Sequence, residues 1–136
     1  MSFEIQDHPA DVAIEGYGET IGAAFAAIAD GMAAASCDRW AADGSRSRVE
    51  VSAENHEALL FDYLDELIYR RDVEGVLPVE NCAMVTTHDE NVSLTATYRG
   101  VPLSLIEARE IKAPTYAEMR IVETSGGWKA RVVLDV

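Results

Sequence analysis

At 136 residues with 49% apolar side chains, the chain is long enough for one folded domain with a real core, and too apolar for intrinsic disorder. It carries 24 acidic against 11 basic residues, a formal net charge of -13, and this excludes a broad basic groove for nucleic acid. No apolar run approaches the ~18 residues of a membrane span. No basic segment followed by an apolar stretch opens the chain, so the expected location is the cytoplasm. The acids are spread along the whole length, and Lys112 and Lys129 are the only lysines. That pattern fits adaptation to a salt-rich cytosol better than a single basic partner.

In chain order, Phe3–Ile5 reads as a short strand leading into Asp7-His8-Pro9-Ala10-Asp11, where Pro9 biases His8 toward extended backbone and a turn. Val12 to Tyr17 alternates as a strand. Thr20 is placed to cap a helix running to about Ala35, with Ile21, Phe25, Ile28 and Met32 on one buried stripe. Asp38–Ser45 reads as a loop and Arg46–Val51 as a strand. Asn55 caps a second helix, whose stripe is Leu60, Phe61, Leu64, Leu67 and Ile68, and which ends near Asp72. Strand patterns follow over Val76–Val85, Asn91–Gly100, Tyr116–Glu123 and Trp128–Val136. The turns fall at Asp89-Glu90-Asn91 and Ser125-Gly126-Gly127, and a connection or short helical turn begins at Pro102. The sum is a single α+β domain over residues 1–136, with two helices on a mixed, largely antiparallel sheet in two layers. Cys37 and Cys82 share no CxxC and read as free thiols, buried or half-buried.

Motifs for nucleophilic catalysis, zinc or nucleotide cradling are absent. The carboxylates are more informative. Asp7 and Asp11 bracket the constrained loop, and Asp135 stands beside Val136 at the end of the last strand. If that strand is central, Asp11, Asp135 and Val136 converge as hard oxygen donors for a divalent cation such as calcium or magnesium. In so acidic a chain, however, a solvated surface carboxylate is the simpler reading of any one of them. Lys112, in Glu110-Ile111-Lys112-Ala113-Pro114-Thr115-Tyr116, is a rare lysine suited to a phosphate or a partner carboxylate, although as a lone side chain it reads a little more simply as a snorkelling residue at a strand entrance. His8 can ligate or titrate, but in such a turn it more commonly fixes the loop. Tyr116 and Trp128 read as packing aromatics.

Together these segments resemble the archease family, small proteins that assist the RtcB-type tRNA-splicing ligase. The resemblance is carried by Phe3-Glu4-Ile5 with Asp7-His8-Pro9-Ala10-Asp11, by Gly18-Glu19-Thr20 with Phe25, by Leu59 to Tyr69, and by Lys112-Ala113-Pro114-Thr115-Tyr116 with Val133-Leu134-Asp135-Val136. Pro9 stands where the family usually has Thr, Tyr63 and Asp65 where it has Trp and Asn, and Pro114 where Val is common. The resemblance implies an accessory protein rather than an enzyme. Its implied partner is the ligase, whose guanylylation and turnover it promotes, with no membrane and no stable direct nucleic-acid binding. It also implies a divalent cation, calcium first and magnesium or manganese as alternatives, held by Asp11, Asp135 and Val136, and a functional Lys112 with Asp7 and His8 nearby. Two other readings are a chaperone-like interaction module for nucleic-acid enzymes and, last, a metal-dependent hydrolase using Asp7, His8 and Asp11.

Overall fold

The computed structural model describes residues 2–7 and 11–136, with residues 6 and 7 described by their backbone alone. In chain order the described elements are β1 (Ser2–Asp7), β2 (Asp11–Gly18), α1 (Ile21–Ser36), β3 (Arg46–Ala53), α2 (His56–Glu74), β4 (Val76–His88), β5 (Asn91–Pro102), a 3-10 turn (Leu103–Leu105), β6 (Ala113–Thr124) and β7 (Gly127–Asp135). The α+β class is as expected. The strands, however, form two sheets rather than one, in the orders β1-β2-β7-β6 and β3-β5-β4. Every pairing among them is antiparallel. Alternation in a sequence identifies a strand and its buried face but not its neighbour, so the division into two sheets was not readable in advance.

Both helices begin where their side chains say. Thr20 Oγ1 accepts from the Ala23 N–H at 3.0 Å, and Asn55 Oδ1 from the Ala58 N–H at 2.8 Å. α2 runs to Glu74, past the expected end at Asp72, because Gly75 closes it in the left-handed region (φ 68°) and donates to the Arg71 carbonyl. α1 buries more than one stripe. It packs against β2 of the first sheet and β4 of the second, and its alanines and glycines let both approach. Gly22 lies so close to β4 that a Cβ there would sit 2.5 Å from the Ala83 carbonyl oxygen.

The main core joins Val12 and Ile14 of β2, Phe25 and Ile28 of α1, Leu60, Tyr63, Leu64 and Leu67 of α2, Leu94 and Tyr98 of β5, and Val132 and Leu134 of β7. Phe61, expected in the α2 stripe, is half-buried; Tyr63 takes the interior position. Tyr116 is also not core. Its ring is 55% exposed and lies flat on Phe61, with centroids 4.5 Å apart. Cys37 is buried, its thiol donating to the Arg39 carbonyl, whereas Cys82 is exposed and not half-buried as expected.

A bulge interrupts β4 between Val79 and Cys82, with Glu80 at φ 50°. It turns Asn81 inward, where the backbone N–H and Nδ2 both donate to Asp30 Oδ1 at 2.9 Å. Burial pushes the Asp30 carboxyl above its ordinary range, against the lowering effect of the Asn81 bonds. A raised folded-state value means that this group favours folding fully below its unfolded value, near 3.8, and that this contribution is lost as pH rises through the folded value. Asp30→Asn keeps an acceptor and removes the charge. Its melting temperature is expected to exceed wild type at pH 7, with the difference closing as the pH falls below about 4. A difference independent of pH in thermal melts would contradict this account.

Candidate metal and partner site

β7 is central, between β2 and β6, so the end of the last strand is held on both sides. Asp135 lies directly opposite Asp11 of β2 and opposite Ala113 of β6. Opposed residues of an antiparallel ladder share a face, with Cβ atoms about 4.5–5.5 Å apart. Asp11 and Asp135 therefore form a cross-strand pair of carboxylates. The next residues inward, Val12 and Leu134, point the other way into the core. That alternation places the two acids on the side of the sheet away from the helices.

Asp11 is half-buried, with its Oδ1 enclosed, while Asp135 is exposed. Val136 follows Asp135 directly and packs its side chain against the core, which fixes its backbone beside the pair. Like charges directly opposite one another repel and destabilise a sheet. A divalent cation between them would offset that repulsion, and two carboxylates with a main-chain oxygen are the donor chemistry of a hard ion. On these grounds the residues present fit such an ion. The pair is two acids and not a larger cluster: no group of three or more His, Cys, Asp or Glu that could hold a metal occurs among the described residues.

Lys112 joins the pair through its backbone, since its N–H donates to the Asp135 carbonyl at 2.8 Å. Its side chain is exposed, and no hydrogen bond or ion pair engages it among the described residues. Four of the six expected site residues, Asp11, Asp135, Val136 and Lys112, thus meet at one end of the four-stranded sheet. The backbone of Asp7 pairs with Val12, one residue beyond Asp11, and its side chain lies outside the described residues. His8 lies outside them altogether.

Sequence reasoning missed the residues that carry Lys112 there. The connection after the 3-10 turn has no ladder of its own, and two guanidinium groups hold it. Arg109 donates to the Ala35 carbonyl at the end of α1 at 2.9 Å, and Arg71 to the Ile111 carbonyl, also at 2.9 Å. A basic residue in the last turn of α2 was the only available signal, and it reads equally well as a simple helix-dipole partner.

The chain is thus an α+β domain of two antiparallel sheets, with a carboxylate pair and a lysine at the end of its central last strand. This chain belongs to the Archease protein family, whose model matches residues 3–136. It is 32% identical over 137 residues to the archease of Methanothermobacter thermautotrophicus, covering 98% of each chain. It is 33% identical over 139 residues to that of Thermococcus gammatolerans, again covering 98% of each. The solution structure of Methanobacterium thermoautotrophicum protein 1598 superposes with a TM-score of 0.84 at 31% identity, over 99% of both chains. The crystal structure of an archease, a possible chaperone, from Thermotoga maritima shares the fold with a TM-score of 0.64 at 20% identity, over 98% of this chain and 96% of that one.

Proposed function

We propose that this protein is an accessory factor, not an enzyme, that activates an RtcB-type tRNA-splicing ligase in the cytoplasm by promoting the ligase's metal-dependent guanylylation and its repeated turnover. The observation that supports this reading is the register pairing of Asp11 with Asp135, tied by a backbone hydrogen bond to Lys112, in a member of the archease family. Asp11, Asp135 and a main-chain oxygen of Val136 would hold the divalent cation, calcium first, with magnesium or manganese as alternatives. When bound, the cation supplies positive charge next to the partner's phosphates. Asp11 and Asp135 orient it from a rigid strand end rather than a loop. Lys112 offers an unengaged ammonium to a phosphate or a carboxylate of the partner as the two proteins dock. With a net charge of -13, the surface favours a protein partner over a free RNA strand.

Lys112→Ala tests this reading. It removes one exposed cation and no core contact, so the fold is expected to be unchanged. Stimulation of multiple-turnover RNA ligation is expected to fall about 10- to 100-fold, the range for loss of one hydrogen bond to a charged group. Wild-type stimulation by the variant would remove Lys112 from the mechanism.

The chaperone-like reading has one observation in its favour. Tyr69 and Val73, one turn apart on α2, are 57% and 63% exposed. It predicts that Lys112 and Asp11 are dispensable and that several unrelated clients bind.

A further inference from the structure

Lys112 arrives at the carboxylate pair at the end of a connection, residues 106–112, that forms neither helix nor strand. Backbone without a ladder must find its hydrogen bonds elsewhere, and where it finds them decides how firmly it is held. The 3-10 turn before it is fastened at Leu103, whose N–H donates to the Gly75 carbonyl just past α2 at 2.9 Å. Its middle is fastened at Arg109, to the end of α1. Its last residues are fastened three times in succession. Ile111 sits fully buried in the main core, the Ile111 carbonyl accepts from Arg71 Nη2, and the Lys112 N–H donates to Asp135.

Arg71 is the unusual member. It is 8% exposed, and it is the only buried residue with an ionised side chain among those described. Its Nε and Nη2 reach Asp72 Oδ1 at 3.1 and 3.0 Å, but Asp72 is on the surface and its side chain is 61% exposed. An ion pair with an exposed neighbour does not require a buried guanidinium. The inward donation to a carbonyl 40 residues away does. The inward part of that donation falls on the Ile111 carbonyl, which shares one peptide group with the Lys112 amide, and it helps to offset the cost of burying the charge.

We propose that Arg71 is a positioning residue, holding the Ile111–Lys112 peptide so that Lys112 stays in register with the Asp11–Asp135 pair. The functional importance of this clamp rests on the role assigned to Lys112 above. The geometric part does not, and it can be read without the ligase. Arg71→Met keeps the apolar stem and removes the donors. Arg71→Lys keeps the charge and one compact donor, and serves if the first variant folds poorly.

Residue-resolved hydrogen exchange on the full chain, well below the melting temperature, is the primary readout. In Arg71→Met the protection of the Lys112 amide is expected to fall about tenfold or more, which corresponds to ~1.4 kcal/mol of local opening. Amides of the β2–β7 ladder are expected to hold their wild-type protection. Arg71→Lys is expected to recover part of the loss, and cation affinity to stay at the wild-type level in both. Unchanged protection at Lys112, or a loss shared equally by the whole ladder, would overturn the proposal, because a merely structural arginine loosens everything together. If Lys112 loosens selectively while ligase stimulation stays at the wild-type level, the clamp stands and the functional reading of Lys112 fails.

Discussion

Asp11→Ala is expected to weaken divalent-cation binding by about 100-fold or more and to abolish stimulation of the ligase, while the chain stays folded. The site offers two side-chain carboxylates and a main-chain oxygen, so removing Asp11 removes one of two formal charges and the more enclosed of the two acids. A tenfold loss corresponds to ~1.4 kcal/mol, and losing a fixed ionic ligand from so small a set exceeds that several times over. Asp135→Asn is expected to weaken binding less, since an amide oxygen remains and the residue is exposed. Isothermal titration with calcium, magnesium and manganese measures both. Affinity unchanged in Asp11→Ala would dismiss the cation site, whatever the ligase assay then showed. The position of Asp11 at the first residue of β2 limits damage to the sheet, and far-ultraviolet circular dichroism is expected to match wild type.

The largest stability loss is expected at Phe25. It is 0% exposed in the first half of α1, inside the core that α1 shares with β2, α2, β5 and β7, and it is among the largest fully buried side chains. Truncation leaves both the lost transfer energy and a cavity that a helix packed on two sides cannot close. Phe25→Ala is therefore expected to destabilise by about 3–5 kcal/mol, a large share of the ~5–15 kcal/mol available to a domain. Denaturant unfolding reads it directly. A loss under 1 kcal/mol would mean that α1 is free to shift toward one sheet, against the close approach of Gly22 to Ala83 on the other.

The local parts of this fold were legible because they are set by neighbours in sequence. Thr20 and Asn55 announce their helices, and the Val92, Leu94, Ala96, Tyr98 alternation is buried as read. The two sheets were hidden, since nothing in an alternating strand names its partner. The burial of α1 on two sides was underestimated for a related reason. Alanine contributes little to a hydrophobic stripe, yet it is what permits contact on two sides. At the site, Asp11, Asp135 and Lys112 stood out through their places at an element's end and the scarcity of lysine. Their meeting depends on β7 lying between β2 and β6, which no residue spells out. Arg71 was less visible still. Its partner is a main-chain carbonyl 40 residues on, and a carbonyl leaves no mark in a sequence.

Guanylylation of the cognate RtcB-type ligase, followed over several turnovers in high salt with and without this protein, tests the central claim most directly. Wild-type protein is expected to accelerate GMP loading and to sustain ligation past the first turnover, and Asp11→Ala to do neither. Loading at the same rate with and without the protein, under verified ligase activity, would contradict it.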